Sequence, residues 1–216
     1  MPSRLLGTKP ANPTTFFKSP GRLEAFSDGV VAIAITLLIL EIKVPSTHDA
    51  STVAELWRAL LERWPSYFAF LLSFFTIYLA WSGHHLMMQQ VKTVTLPLVW
   101  ANAFFLLFVT FLPFPTSLVA EHLTSPSGAL AVALYAATNA CISLTYLYLY
   151  TVSSRGDTEP NRLRYARLNA LGGVAICSAC VGLAFVSKVL ALLLIGAVWV
   201  WWSLPHRTQP PQVAAD

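Results

Sequence analysis

The chain has 216 residues, of which 56% are hydrophobic and only 11% are charged. Soluble domains carry about 25% charged residues, so this composition excludes an ordinary soluble protein. It predicts an all-α integral membrane protein with about six spans joined by short loops. The net charge of +4 would also be compatible with nucleic-acid binding. We reject that function because the basic residues lie in loops beside apolar segments, as they do in membrane proteins.

The amino-terminal stretch, residues 1–20, is basic and rich in proline and threonine. It has no apolar core of the length found in cleavable signal peptides, so we interpret it as a flexible cytoplasmic tail. The following segment, Arg22–Pro45, is predominantly apolar and long enough to span a bilayer. We expect this first helix to end at Val44–Pro45, because proline disfavours helix at the residue before it.

Asp28 lies inside this first apolar segment. An ionisable side chain within a span is costly, so we expect Asp28 to face protein or water and to have a partner. At 3.6 residues per turn, Ile33, Leu37 and Leu40 fall on one stripe of the helix. Thr36 lies at the edge of that stripe, and Asp28 points to roughly the opposite side. By itself, such a stripe is ordinarily a packing surface that faces lipid or neighbouring helices.

The start of this helix carries a specific motif, Arg22-x-x-x-Phe26-Ser27-Asp28, within the run RLEAFSDGVVAIAITLLILEIKVP. This run closely resembles the signature of the transmembrane protein 175 family, which comprises the endosomal and lysosomal potassium channel and its prokaryotic relatives. The resemblance covers the whole first helix, and the rest of the chain resembles the family mainly in its helix layout. In that family the first helix of each subunit lines the pore, and bulky apolar residues on it form the constriction.

The resemblance therefore implies that Ile33, Leu37 and Leu40 form a pore constriction or gate, with Thr36 as a hydroxyl layer for ion selectivity. The sequence contains no TVGYG string, the motif of the carbonyl-lined potassium filter, so ions would pass rings of side chains instead. Hydrophobic rings gate by expelling water. Hydroxyl groups replace part of an ion's water shell, which would favour potassium over sodium only modestly.

We accordingly expect a weakly potassium-selective leak channel that passes K⁺ and other monovalent cations and uses no cofactor or metal. Single-repeat prokaryotic members of the family assemble from four identical subunits, so the resemblance implies a homotetramer with the first helices around the axis. Glu41 lies near the outer mouth. It either attracts cations there or is an interfacial acid paired with Lys43 or another neighbour.

A second helix is predicted to begin near Thr52 and to lie at the membrane surface, because its first half carries four charged residues. Pro65 either kinks this helix or marks the point where the chain enters the membrane. From Ser66 to Met88 the chain is aromatic and aliphatic, and we interpret this run as the second span.

A cluster of Trp81, His84 and His85 lies near the inner end of the second span. It resembles the family pattern in which an aromatic residue and a histidine pack against the Phe-Ser-Asp turn. A buried carboxylate needs hydrogen-bond donors, and Trp and His both supply them. The alternative is that the two histidines are interfacial and solvated. We predict a single network within the subunit, made of Arg22, Ser27, Asp28, Trp81 and His84.

Four further spans complete the predicted channel domain, residues 21–204, and residues 205–216 form a cytoplasmic carboxy-terminal tail. Pro113 and Pro115 should bend or terminate the third span. Asn102, inside that span, is expected to hydrogen-bond a neighbouring helix. The predicted further spans are Leu96–Ala120, Ala129–Val152, Leu168–Val186 and Val189–Leu204.

The distribution of basic residues predicts the orientation. Ten of the 14 Lys and Arg residues fall on the side of the amino terminus. Because cytoplasmic loops carry an excess of Lys and Arg, we expect a multi-pass protein of the plasma membrane with both termini in the cytoplasm. The four basic residues on the other side are Lys43, Arg58, Arg63 and Lys188.

Two other classes of function fit the sequence less well. A secondary transporter, proton-coupled through Asp28 and the histidines, would be favoured by inverted repeats and broken helices, and only the prolines of the third span point that way. An enzyme is disfavoured, because no H-E-x-x-H or G-x-S-x-G motif is present. Cys177 and Cys180 form a C-x-x-C inside a predicted span, where we interpret them as small interface residues.

Overall fold

A computed structural model describes residues 19–47, 50–154 and 160–203. The predicted tails, apart from Ser19 and Pro20, lie outside the described residues, as does part of the charged loop before the fifth span. The described residues form α-helices and one 3₁₀-helix, without a strand among them. The helices are α1 (Pro20–Leu37), the 3₁₀-helix (Leu38–Glu41), α2 (Val53–Glu62), α3 (Trp64–Met88), α4 (Leu96–Phe111), α5 (Pro113–His122), α6 (Gly128–Ser153), α7 (Pro160–Val186) and α8 (Lys188–Ser203).

Five helical segments of the described chain are long and apolar enough to cross a membrane. The chain is therefore a multi-pass helical membrane protein. The predicted sixth span corresponds to α8, which has 16 residues. At 1.5 Å per residue, α8 is about 24 Å long, shorter than the hydrocarbon core of about 30 Å. The five long segments are Pro20–Glu41, Trp64–Met88, Leu96–His122, Gly128–Ser153 and Arg167–Val186.

The first span ends earlier than the sequence predicted. Its α-helical part stops at Leu37, and a 3₁₀ turn carries the chain to Glu41. Ile42 is extended, with φ −88° and ψ 91°, and its N–H closes the last 3₁₀ turn on the carbonyl of Ile39 at 3.1 Å. Because a 3₁₀-helix has three residues per turn, Leu40 lies almost directly above Leu37 rather than a further step around the helix.

The junction between α2 and α3 agrees with the sequence. Thr52 caps α2, since its hydroxyl accepts the N–H of Glu55 at 3.2 Å while the Glu55 carboxylate accepts the N–H of Thr52 at 2.9 Å. The helix breaks at Arg63, and Pro65 occupies the first turn of α3, where its missing N–H is not needed. The predicted helix start and the change of helix at this proline are therefore confirmed.

The third span is interrupted as predicted. α4 ends at Phe111 and α5 begins at Pro113, because proline has no N–H to donate to the preceding turn. The two helices together still form one apolar segment of 27 residues. This break lets α5 pack against both α3 and the 3₁₀ turn that follows α1.

The bundle is centred on α6, which contacts α3, α4, α5, α7 and α8, while α1 packs on α3 and α4. A polar cluster is enclosed among α3, α5 and α6. The hydroxyl groups of Ser73 and Thr116 lie 2.7 Å apart, and the Tyr135 hydroxyl lies within 3.3 Å of Ser73 and 3.2 Å of Thr76. Hydrogen-bonded side chains of this kind help helices to associate inside a bilayer, because apolar side chains pack nearly as well against lipid as against another helix.

Candidate functional site

The first helix has two distinct faces. The residues that the bundle buries recur every three or four positions, as one stripe of a helix must. They pack against α3, α4 and α5, so α1 has one fixed side toward its own subunit. The buried residues are Leu23, Ser27, Val31, Ala34 and Leu38.

The opposite face of α1 is not covered by any other described part of the chain. Ile33 is 62% exposed, Leu37 is 44% exposed and Leu40, in the 3₁₀ turn, is 67% exposed. Thr36 and Phe26 are exposed as well. The residues expected to constrict a pore thus share one outward surface, which we call the α1 stripe (Ile33, Thr36, Leu37 and Leu40).

The Thr36 hydroxyl has a defined orientation within that stripe. Its Oγ1 donates toward the carbonyl oxygens of Ala32 and Ile33, each at 2.9 Å. A hydroxyl carries one hydrogen and two lone pairs. Because the hydrogen is directed back to the helix, the lone pairs of Thr36 remain available on the exposed side, where they present a partial negative charge.

Asp28 has a partner on the second span. The indole N–H of Trp81 donates to Asp28 Oδ1 at 2.8 Å, and both side chains are half-buried. The Trp81 ring is also stacked on His85, with the ring centres 5.5 Å apart and the planes at 22°. The carboxylate within the first span is therefore satisfied by the adjacent helix rather than left to hydrocarbon.

Ser27 belongs to a second, fully buried chain of hydrogen bonds. The amide Nδ2 of Asn102 donates to Ser27 Oγ at 2.9 Å, and Ser27 Oγ donates to the Leu23 carbonyl at 2.9 Å. The Asn102 Oδ1 lies 2.7 Å from His84 Nε2, so His84 is the donor in this arrangement. The His84 ring is stacked on Phe105 with a centre distance of 5.3 Å. Asn102 on α4 thereby joins α1 to α3.

This geometry differs from the single network that the sequence predicted. Ser27 and Asp28 are about 100° apart on the helix, so they point to different neighbours and form two separate branches. Arg22 is exposed, and among the described residues no hydrogen bond or ion pair joins it to either branch. The sequence indicated that Asn102 bonds a neighbouring helix but not that it bridges the Phe-Ser-Asp turn to His84.

A third contact, which the sequence analysis missed, lies beside the Asp28 branch. His85 Nδ1 is 2.9 Å from Glu24 Oε1, and His85 Nε2 accepts a hydrogen bond from the Gln89 amide at 3.0 Å. Glu24 precedes Asp28 by four residues, which places both carboxylates on one face of α1. This spacing is the feature of the sequence from which the contact could have been predicted. The ligand atoms of Glu24, Asp28 and His85 lie within 4.8 Å of one another, a spacing that could hold a metal ion. Asp28 Oδ1 already accepts the hydrogen bond of Trp81, and Glu24 Oε1 already contacts His85 Nδ1.

At the other end of the first span, Lys43 forms an ion pair with Glu121 of α5. The hydrogen bond from Lys43 to Glu121 raises the pKa of the Lys43 ammonium above its ordinary value. Lys43 therefore pairs with an acid of the third span rather than with its near neighbour Glu41, which is half-buried in the 3₁₀ turn. This pair ties the segment after α1 to the end of the third span.

Comparison with known proteins gives consistent matches. Residues 22–113 match the family described as endosomal/lysosomal potassium channel TMEM175. A protein of Streptomyces collinus named a potassium channel is 36% identical over 207 residues, which are 90% of this chain and 97% of that relative. A potassium channel of Chamaesiphon minutus is 44% identical over 137 residues, 63% of this chain and 67% of the relative.

The fold agrees with the sequence matches. The crystal structure of a lysosomal potassium-selective channel TMEM175 homolog from Chamaesiphon minutus superposes with a TM-score of 0.79 and 36% identity. The match covers 85% of this chain and 95% of that structure. Together with the Arg-x-x-x-Phe-Ser-Asp signature, these likenesses confirm the resemblance seen in the sequence: the chain belongs to the endosomal/lysosomal potassium channel TMEM175 family.

Proposed function

We propose that this chain is the six-helix subunit of a homotetrameric, potassium-permeable leak channel that favours K⁺ weakly over Na⁺. The observation that carries the proposal is the α1 stripe, an apolar surface with a single hydroxyl layer that residues 19–47, 50–154 and 160–203 leave exposed. The relatives named potassium channels, from Streptomyces collinus and Chamaesiphon minutus, support the choice of ion.

A pore needs several copies of this stripe. One α1 with its inward side packed on α3 and α4 cannot enclose an ion path, but four copies turned toward a common axis can. The membrane-spanning position of α1 means that its exposed side meets either lipid or other subunits. Four-fold closure gives each layer of the stripe a ring of four side chains, as closed point-group symmetry requires.

The chemistry of the stripe fits a hydrophobic gate. Rings of Ile33, Leu37 and Leu40 offer an ion no dipoles, so a narrow pore at these levels empties of water and blocks conduction until it widens. The 3₁₀ turn places Leu40 above Leu37, which brings two consecutive apolar rings into line along the axis. No backbone carbonyl filter is required in this arrangement.

Thr36 supplies the polar layer between the apolar rings. Four hydroxyl oxygens with their hydrogens directed to the helix backbone would present lone pairs to a passing cation. They replace only part of its water shell. Potassium loses its remaining water more readily than sodium does, so the preference for potassium is modest.

The signature residues hold α1 in register. The Trp81–Asp28 bond and the Asn102 bridge attach the inner end of α1 to α3 and α4, while the Lys43–Glu121 pair attaches the outer end to α5. We assign these contacts to orientation of the stripe rather than to ion binding. Glu41, next to the outer end of the stripe, would raise the local cation concentration at the mouth.

We propose that the protein lies in the plasma membrane, and the distribution of its basic residues supports an orientation with both termini in the cytoplasm. Purified protein in liposomes with opposed K⁺ and Na⁺ gradients tests the function. A reversal potential shifted from zero toward the potassium equilibrium potential supports a weakly selective channel, provided that the current keeps growing with the driving force and does not saturate. A slow, saturable flux would instead indicate a transporter, and no flux would contradict both.

A further inference from the structure

The α2 helix separates apolar and polar side chains sharply. At about 100° per residue, Glu55, Arg58 and Glu62 fall on one side of the helix. The opposite arc is entirely apolar and continues through Trp64 at the start of α3. That arc, which we call the α2 apolar face, consists of Val53, Leu56, Trp57, Leu60 and Leu61.

This apolar face has almost no cover from the residues that the structure describes. None of the ten residues of α2 is buried, and Trp57 and Leu61 are 64% and 58% exposed. The helix nevertheless has strong local support, because Thr52 and Glu55 form a reciprocal cap and the Ser51 hydroxyl also donates to Glu55 at 2.8 Å. A helix of about 15 Å is thus stabilised by its cap, while its apolar side is exposed among the described residues.

The position of α2 in the chain sets its height relative to the membrane. It lies between the first span, which ends at Glu41, and α3, which begins at Trp64 and crosses the bilayer. The chain enters the membrane within two residues of the end of α2. The helix is therefore at the membrane surface opposite the amino terminus, whichever compartment that surface faces.

We infer that α2 lies in the plane of that surface, with its apolar face inserted among the lipid acyl chains and its charged side in water. An amphipathic helix with this division of residues is stabilised at the boundary between headgroups and hydrocarbon. Two tryptophans, Trp57 and Trp64, are the side chains most suited to that boundary. The inference concerns a lipid contact and does not depend on ion conduction.

Lipid is favoured over a second copy of the chain as the occupant. The face is continuous through Trp64 with a helix that is long and apolar enough to cross the bilayer, so α2 lies at the height where that helix enters the membrane. The charged residues on the far side of α2 are all exposed, which is the pattern of a helix with water on one side only. α2 is then an in-plane anchor that connects the outer end of the first span to the membrane surface.

Photocrosslinking tests this directly. The variants Trp57→p-benzoylphenylalanine and Arg58→p-benzoylphenylalanine place the same probe on the apolar and charged sides of α2. The full-length protein is reconstituted in vesicles of palmitoyl-oleoyl phosphatidylcholine, irradiated and examined by intact-mass spectrometry and denaturing gels. We expect several-fold more phospholipid adduct at position 57 than at position 58.

The outcomes that overturn the inference are equally distinct. Crosslinked dimers at position 57 would show that another subunit covers the face, and equal lipid adduct at both positions would show that α2 does not lie in the plane. Leu61→p-benzoylphenylalanine probes the same face if the change at Trp57 lowers the folded yield. Size-exclusion chromatography before irradiation verifies that each variant is assembled.

Discussion

Trp81 Nε1 donates a hydrogen bond to Asp28 Oδ1 at 2.8 Å, so the carboxylate of the first span is held by a side chain of the next span. Asn102 provides a parallel link from the neighbouring turn residue, Ser27, at 2.9 Å. These two bonds fix how α1 is rotated about its own axis. That rotation decides which residues form the exposed stripe, and it connects the signature to the proposed pore.

Removing the indole donor should destabilise the subunit. Trp81→Phe keeps an aromatic ring but leaves the half-buried Asp28 carboxylate without its hydrogen bond. An unsatisfied buried acceptor costs about 1–3 kcal/mol, and partial exposure places this one at the lower end. We expect a lower melting temperature in detergent, measured by fluorescence-detected size exclusion, with little change in ion preference. Trp100→Phe, at an exposed indole, is the matched control and should melt like the parent protein.

The Asn102 bridge should behave as one coupled unit. Asn102→Leu removes both hydrogen bonds and leaves His84 and Ser27 buried without this partner. We expect a larger loss of thermal stability than for Trp81→Phe, because two fully buried groups lose a partner. Ser27→Ala should then lower the melting temperature less when it is added to Asn102→Leu than when it is made in the parent protein. Strict additivity of the melting shifts would show that the two side chains do not interact.

The selectivity assigned to Thr36 makes a prediction about a single hydroxyl. Thr36→Ala should move the reversal potential under opposed K⁺ and Na⁺ gradients toward zero, because the ring of oxygens is lost. Thr36→Ser keeps the oxygen and should retain most of the preference. Unchanged reversal potentials in both variants would show that the Thr36 hydroxyl does not contact permeating ions.

A polar side chain in the constriction should loosen the gate. Ile33→Asn introduces an amide into an apolar ring, which lets water remain there, so we expect larger currents and a weaker ion preference. Ile33→Val keeps the ring apolar and should leave currents close to those of the parent. Equal conductance of the Asn and Val variants would be incompatible with a constriction at this level.

The cap of α2 should depend on pH. Hydrogen bonds from Ser51 and Thr52 lower the pKa of the Glu55 carboxyl below its ordinary value. Since the folded pKa lies below the unfolded one, the charged carboxylate stabilises the helix at neutral pH, and that stabilisation is lost as pH falls through the folded pKa. Amide exchange of α2, corrected for intrinsic rates, should accelerate at acid pH. Glu55→Gln keeps a capping side chain that does not titrate, so the α2 amides of this variant should exchange equally fast at neutral and acid pH once intrinsic rates are corrected for.

Local chemistry in the sequence predicted much of the fold. The start at Thr52, the change of helix at Pro65 and the break at Pro113 were all predictable, because caps and prolines act on the backbone within one turn. The end of the first helix was predicted wrongly, at Val44–Pro45 instead of Leu37, since no proline or glycine marks Leu37. The residues after it form a 3₁₀ turn that packs against α3 and α5, and such tertiary contacts do not appear in the sequence of one helix.

The sequence predicted most residues of the site, but fewer of the hydrogen bonds that join them. The pairing of Asp28 with Trp81 was implied by the family resemblance and agreed with the need of a buried carboxylate for a donor. The bridge through Asn102 was not predicted, because it requires α1, α3 and α4 to meet at one level. The Glu24–His85 contact was also missed, since it depends on how α3 is rotated against α1.

The central claim is that the α1 stripe borders the ion path, and a thiol at position 37 tests it most directly. In Leu37→Cys, four thiolates around one axis would bind Cd²⁺, a soft cation that thiolate ligands favour, and plug the pore. We predict that Cd²⁺ blocks K⁺ current through Leu37→Cys in liposomes but not through the parent protein or Leu71→Cys, whose exposed side chain lies on α3. If Cd²⁺ leaves the Leu37→Cys current unchanged, or blocks Leu71→Cys alone, another helix lines the pore and the account is wrong.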